Sequence, residues 1–170
     1  SLRGEKRFLL KNPLPLGFCA KDDNIRSVLC QPKICDCLLH RLYFSVKMIS
    51  KRLSARGAKM ELSLNGKWQF RECNTDKYYP ATVPGCNFLD LIDNKIIEDP
   101  FIGLNEKDAD FVGKKDWEYK RTFTLDEEQL GSDDIILSCK MLDTVCDIFI
   151  NGEKIGSADN CFIKHEFPVK

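Results

Sequence analysis

From Trp117 to Val169 apolar and polar residues alternate with a period of two, a pattern that admits little besides antiparallel sheet. Trp117, Tyr119, Phe123 and Leu125 share one phase. Glu118, Lys120, Thr122 and Thr124 share the other, and Arg121 is the one polar residue in the apolar phase. Ile135, Leu137, Cys139 and Met141 predict a second strand, and Cys146, Ile148 and Ile150 a third. Asn151-Gly152 then supplies the residues a type I′ turn requires, because both central positions take positive φ. The chain returns through Glu153 to Gly156, and Ile163, His165, Phe167 and Val169 form a last strand. One short helix interrupts the pattern upstream. Asn87 is its expected N-cap and Asp90 suits the positive end of its dipole. Phe88, Leu91 and Ile92 give it one apolar stripe, and Asn94 is expected to end it in the left-handed conformation. Short strands, turn signals and a single short helix predict an all-β sandwich.

The charge divides the chain. Residues 1–59 carry 13 Lys and Arg against 4 Asp and Glu, whereas residues 60–170 carry 13 against 22. The first segment has no sustained period, and Pro13 and Pro15 break any early helix. Leu38, Leu39, Leu42 and Val46 predict one short helix over 36–48. Residues 1–59 are therefore expected to be a basic extension, disordered or non-native, preceding a sandwich domain at 60–170. Met60 stands where the charge changes sign and is the expected native initiator, with Met48 the other candidate.

Cys30, Cys35, Cys37 and His40 are zinc-ligand types, but their spacing fits no common structural zinc pattern. No metal site and no cofactor are expected. The basic run ending at Lys59 lacks interleaved aromatic residues, so no nucleic-acid partner is expected. No apolar run approaches the roughly 18–20 residues that span a bilayer, so no membrane partner is expected either. Five of the nine cysteines, Cys73, Cys86, Cys139, Cys146 and Cys161, follow Met60 with spacings that match no disulfide framework. They read as buried reduced thiols. No Asn-x-Ser/Thr sequon occurs, and the expected setting is cytoplasmic.

Asp116 and Glu118 flank Trp117 and suggest paired carboxylates. On one strand the alternation places both on the solvent face, where two neighbours cannot bracket a substrate from opposite sides. Trp117 and Tyr119 read as core. Neither His40 nor His165 has a nucleophile arranged around it, and no Gly-rich phosphate loop follows Met60.

Five strings follow one another in a fixed order: Leu64-Asn65-Gly66-Lys67-Trp68, Val83-Pro84-Gly85-Cys86, Asp99-Pro100-Phe101-Ile102-Gly103-Leu104-Asn105-Glu106, Asp116-Trp117-Glu118-Tyr119 and Leu142-Asp143-Thr144-Val145. Asp159-Asn160 with Phe162 adds a sixth. Together they resemble the N-terminal domain of a glycoside hydrolase family 2 β-mannosidase. Two positions depart from the family pattern. Phe111 stands where a Trp is expected, and Ile102 where an aromatic often follows. The resemblance implies a jelly-roll, galactose-binding-like sandwich, incomplete here at its C-terminal edge. It implies an enzyme that removes terminal non-reducing β-D-mannose with retention, through two glutamates of a downstream (β/α)8 barrel. No residue of this chain is then nucleophile or acid/base. The implied partners are a β-mannoside oligosaccharide, met through the full-length enzyme, and the downstream barrel. Asn105 and Glu106 are the implied barrel-facing or substrate-facing rim, and Asp159 and Asn160 join them as candidates. The same four residues also suit turn capping and Asx-type backbone bonds. Two alternatives stand beside this reading: a free-standing carbohydrate-binding module, and a non-catalytic interaction domain.

Overall fold

The computed structural model describes residues 5–11, 45–51 and 59–169. Ten strands are described: β1 (Glu5–Lys11), β2 (Ser45–Lys51), β3 (Lys59–Ser63), β4 (Gly66–Glu72), β5 (Tyr79–Val83), β6 (Trp117–Thr124), β7 (Asp134–Lys140), β8 (Cys146–Ile150), β9 (Glu153–Ala158) and β10 (Lys164–Pro168). They form two antiparallel sheets, ordered β5-β4-β6-β1-β8-β9 and β10-β7-β2-β3. One core lies between them. Phe70, Tyr119, Phe123 and Ile148 of the first sheet share it with Val46, Met48, Leu137 and Phe167 of the second. The sandwich and the strands from Trp117 onward follow the period-two pattern, but Glu118 of the polar phase is buried, and Met141 and Ile163, expected in strands, lie just outside β7 and β10 and are exposed. Asn151 and Gly152 have φ of 54° and 85°, as the hairpin reading requires. Among the described residues β10 pairs on one side only, with β7.

Phe70 anchors the centre. Its ring lies 5.5 Å from Tyr119, 5.8 Å from Trp117 and 6.0 Å from Tyr79, centroid to centroid. Each such pair contributes about 0.5–1.5 kcal/mol beyond the area it buries.

The reading of residues 1–59 as an extension outside the fold does not hold for two stretches. β1 lies inside the larger sheet between β6 and β8, and β2 lies between β7 and β3. A short strand set in a basic, aperiodic segment shows at most a brief apolar run, which periodicity cannot assign. Glu5–Lys11 carries such a run in Phe8-Leu9-Leu10. The helix expected over 36–48 gives way from residue 45 to β2, where Val46 and Met48 are buried two residues apart. The remainder of that helix, and Cys30, Cys35, Cys37 and His40, lie outside the described residues.

Three short helices fill the connections: α1 (Asn87–Asp93), α2 (Asn105–Ala109), which runs on into a 3-10 turn at Asp110–Lys114, and α3 (Glu127–Leu130). Cys86 is the N-cap of α1 in place of Asn87, and it gives no side-chain cap bond. Asn94 keeps φ at −85°, and Lys95 takes the positive φ, at 57°. Tertiary partners displaced the expected caps. The Asn94 amide donates to the carbonyls of Pro80 (2.8 Å) and Asp90 (2.7 Å), tying the end of α1 to β5. Asp90 does not serve the helix dipole; it is buried and faces the strands. α3 carries a reciprocal capping box between Asp126 and Gln129. Among the described residues no helix is long and apolar enough to cross a membrane.

Candidate functional site

Strand register brings a set of loops to one end of the sandwich. Glu72 faces Trp117, Lys11 faces both Glu118 and Asp147, and Cys146 faces Ala158. The end of β4, the start of β6, the start of β8 and the end of β9 therefore lie side by side. In the other sheet Lys140 faces Lys164. Residues 141–145 join β7 to β8 and residues 159–163 join β9 to β10, so both crossovers sit at this end. The segment leading into β6, with α2, arrives there too. Loops at one end of a rigid sandwich are the usual place for binding residues.

Asp159 and Asn160 lie in the β9–β10 crossover at this end, and Asn105 and Glu106 lie on α2, in the segment that leads into β6. The Asn105 amide donates to the Asp99 carbonyl at 3.1 Å, while the Glu106 side chain is exposed on α2. Asn160 Oδ1 accepts the Phe162 N–H at 2.9 Å, closing an Asx turn, and Asp159 beside it is exposed. His165 Nε2 donates to the Asn160 carbonyl at 2.8 Å and its ring stacks on Phe167, fixing the crossover to β10. The turn-forming role is therefore what these bonds display for Asn105 and Asn160, with Glu106 and Asp159 left facing solvent.

What the motif reading missed is the apolar character of this end. Phe101 is 67% exposed, Leu104 71% and Phe162 86%, and Ile102, Val145 and Ile163 are exposed with them. Val145, Phe162 and Ile163 lie in the two crossovers at this end, and exposed apolar side chains that gather mark interaction sites. The signal was present in the strings themselves, as apolar residues set among the Pro, Gly, Asp and Asn of loops. The opposite end offers less chemistry. A cavity of about 140 Å³ opens there between the sheets, and its lining, including Leu125, Ile135, Ile150 and Val169, is wholly apolar.

Glu118 overturns its expected placement on a solvated face, for it is fully buried. β4 pairs with β6 so that Arg71 stands opposite Glu118. The guanidinium donates to Glu118 Oε2 from Nη2 at 2.9 Å and from Nε at 3.1 Å. The Tyr78 hydroxyl donates to Oε1. Arg71 lies 4.6 Å and Lys120 3.2 Å from the Tyr78 ring centroid. Burial and the adjacent carboxylate push the Tyr78 hydroxyl well above its ordinary pKa. The Glu118 carboxylate is engaged by this cluster rather than by solvent. Asp116 is half-buried, which raises its pKa. The Trp117 indole donates to the Val112 carbonyl at 2.9 Å from within the core.

A second buried carboxylate braces α1. Asp90 accepts the Thr82 N–H at 3.0 Å and the Tyr119 hydroxyl at 2.6 Å. Burial pushes its pKa up to about 6. Cys73, Cys86, Cys139, Cys146 and Cys161 are free, and burial pushes the Cys146 thiol up to about 12. Among the described residues no three His, Cys, Asp or Glu side chains gather as metal ligands do.

Residues 68–170 match the family described as glycosyl hydrolase 2 galactose-binding domain-like. The chain is 31% identical over 110 residues to a β-mannosidase of Bos taurus, which covers 65% of this chain and 12% of the bovine protein. It is 33% identical over 111 residues to β-mannosidase B of Aspergillus terreus, covering 63% of this chain and 13% of that protein. A β-mannosidase of Rattus norvegicus is 30% identical over 107 residues, covering 63% and 12%. The matched stretch is thus about an eighth of each relative's length. No solved structure matches.

Proposed function

This chain belongs to the glycosyl hydrolase 2 galactose-binding domain-like family, and from that premise we propose that it is the non-catalytic N-terminal sandwich of a β-mannosidase. The parent enzyme removes terminal non-reducing β-D-mannose from oligosaccharides. Two carboxylates outside this chain perform the retaining displacement, one as acid/base and one as nucleophile. The sandwich supplies a rigid shoulder, and its loop end rests on the catalytic barrel.

One observation carries this reading. The large exposed apolar side chains Phe101, Leu104 and Phe162 stand in the same loops as Asn105, Glu106, Asp159 and Asn160. An apolar centre with a polar border is the composition of a protein–protein contact more than of a sugar site that must read hydroxyl groups. The ordered Asn105 and Asn160 turns hold that surface in shape, and Glu106 and Asp159 form its hydrated edge.

The test uses the chain and the longer enzyme in parallel. The 170-residue chain should release no mannose from an aryl β-D-mannoside. In the longer enzyme, Phe101→Asp with Phe162→Asp should lower both the melting temperature and kcat. Hydrolysis by the chain itself, or an enzyme indifferent to the double substitution, would refute the shoulder. Millimolar mannoside binding by the isolated chain in calorimetry would favour the carbohydrate-binding module instead.

A further inference from the structure

Two carboxylate oxygens at the loop end are buried without a hydrogen-bond partner among the described residues, Asp143 Oδ2 and Asp116 Oδ1. Asp143 lies in the β7–β8 crossover and is 9% exposed. Its other oxygen, Oδ1, accepts the hydroxyl of its neighbour Thr144. Asp116 is half-buried at the start of β6, where its carbonyl accepts the Cys73 N–H at 2.9 Å. Other acidic groups of these strands already have cations. Asp147 pairs with Lys154, Glu72 with Lys115 and Glu166 with Lys164. Lys140, at the end of β7, is exposed and leaves Asp143 Oδ2 without a donor.

A buried carboxylate oxygen with no donor lowers stability, and a cation brought to it restores what was lost. The same two crossovers expose Val145, Phe162 and Ile163. An unmatched acidic group in loops that also expose apolar side chains is one half of a contact whose other half is basic and apolar. A divalent metal ion fits poorly, because hard cations take about six or more oxygen ligands. Among the described residues no three His, Cys, Asp or Glu side chains gather. Arginine fits better than lysine. Oδ2 is shielded from water, so its donor must arrive on a long stem, and a guanidinium sheds its hydration more readily than an ammonium.

We propose that Asp143 anchors an arginine of the protein surface that covers this end of the sandwich. On the reading given above, that surface belongs to the rest of the longer enzyme, and the inference rests on that reading. The guanidinium supplies the donor that Oδ2 lacks, and apolar contact at Val145 and Phe162 keeps water from the pair. Asp116 Oδ1 adds a second acidic point at the same end. Such a contact closes only against a surface that brings a cation and apolar side chains together.

The test places Asp143→Asn in the 170-residue chain and in the longer enzyme. The substitution keeps the size of the side chain and an acceptor for Thr144, and removes the charge. In the chain it relieves an uncompensated carboxylate, so the melting temperature should hold or rise by about 2–4 °C. In the enzyme it leaves the arginine without its counter-charge, so the melting temperature should fall. A structure of the enzyme should place a guanidinium within hydrogen-bond distance of Asp143 Oδ2. An enzyme that loses no more stability than the chain, or a structure with no guanidinium at Asp143, would overturn the proposal. Phe101→Asp with Phe162→Asp, run beside it, separates the two readings. If that pair destabilises the enzyme and Asp143→Asn does not, the anchor falls and the shoulder stands; if the enzyme is indifferent to both, the shoulder falls as well.

Discussion

Replacing Arg71 by Met isolates the most consequential polar contact of the fold. The Glu118 side chain is fully buried and that of Arg71 is 16% exposed. Glu118 Oε2 accepts from Arg71 Nη2 and Nε, and Tyr78 serves Oε1. Arg71→Met keeps most of the side-chain volume and removes both guanidinium donors and their positive charge from beside a buried carboxylate. Breaking a buried pair from one side costs about 3–5 kcal/mol. Water reaching the exposed edge of the site places the expectation at the lower end, about 3 kcal/mol. For a chain of this length that is a fall of about 6–12 °C in melting temperature. Glu118→Gln added to Arg71→Met should recover a large part of the loss, because the uncompensated charge is gone. Thermal melts by circular dichroism on the four proteins of the cycle at pH 7 give the coupling directly. A loss below about 1 kcal/mol, the range of exposed ion pairs, would refute the burial argument.

Three further outcomes are expected. Asp90 titrates at about 6 in the fold against an ordinary 3.8, so the folded state holds its proton more tightly than the unfolded one. Its contribution is fully present below its ordinary pKa and is lost as pH rises through about 6, a swing of about 3 kcal/mol. Asp90→Asn should therefore gain on the parent protein by up to that amount in urea melts between about pH 4 and pH 7.5, and parallel pH profiles would refute the assignment. A chain of residues 60–170 alone lacks the strands between β6 and β8 and between β7 and β3. It should aggregate or melt without cooperativity, and a monodisperse, cooperative product by size exclusion and calorimetry would contradict this. Gly85→Ala would place a Cβ 2.2 Å from the Thr82 carbonyl oxygen. It should cost about 1–3 kcal/mol in denaturant melts, and a neutral result would show that the β5–α1 turn yields.

Where the sequence misled, the cause was neighbours that no local pattern reveals. Glu118 sits in the polar phase of β6, and alternation alone sends it to solvent. The register of β4 and the fold of the loop carrying Tyr78 bury it. Asp90 occupies a helix position that suits an acidic residue for local reasons, but Thr82 and Tyr119 claim its carboxylate. Asn94 ends its helix with a side-chain amide spent on Pro80. The rim candidates were legible as loop residues, because Asn160 and Asn105 make bonds that short polar side chains make in any turn. The place of Asn160 beside the β7–β8 crossover depends on pairings between strands distant along the chain and on two crossovers between the sheets.

By itself the sequence determined the class of the fold, the strands from Trp117 onward, the hairpin at Asn151-Gly152 and the family. Those rest on period-two burial, on positive φ at two residues and on a fixed order of short strings, which are local or collinear properties. Only the tertiary structure decided that Glu5–Lys11 and Ser45–Lys51 belong inside the sheets, that Glu118 is buried against Arg71, and that the two crossovers carrying Val145 and Phe162 share one end. Each of these is a pairing between residues distant along the chain, and a ladder bond or a buried charge acquires its partner only when the chain has folded back on itself.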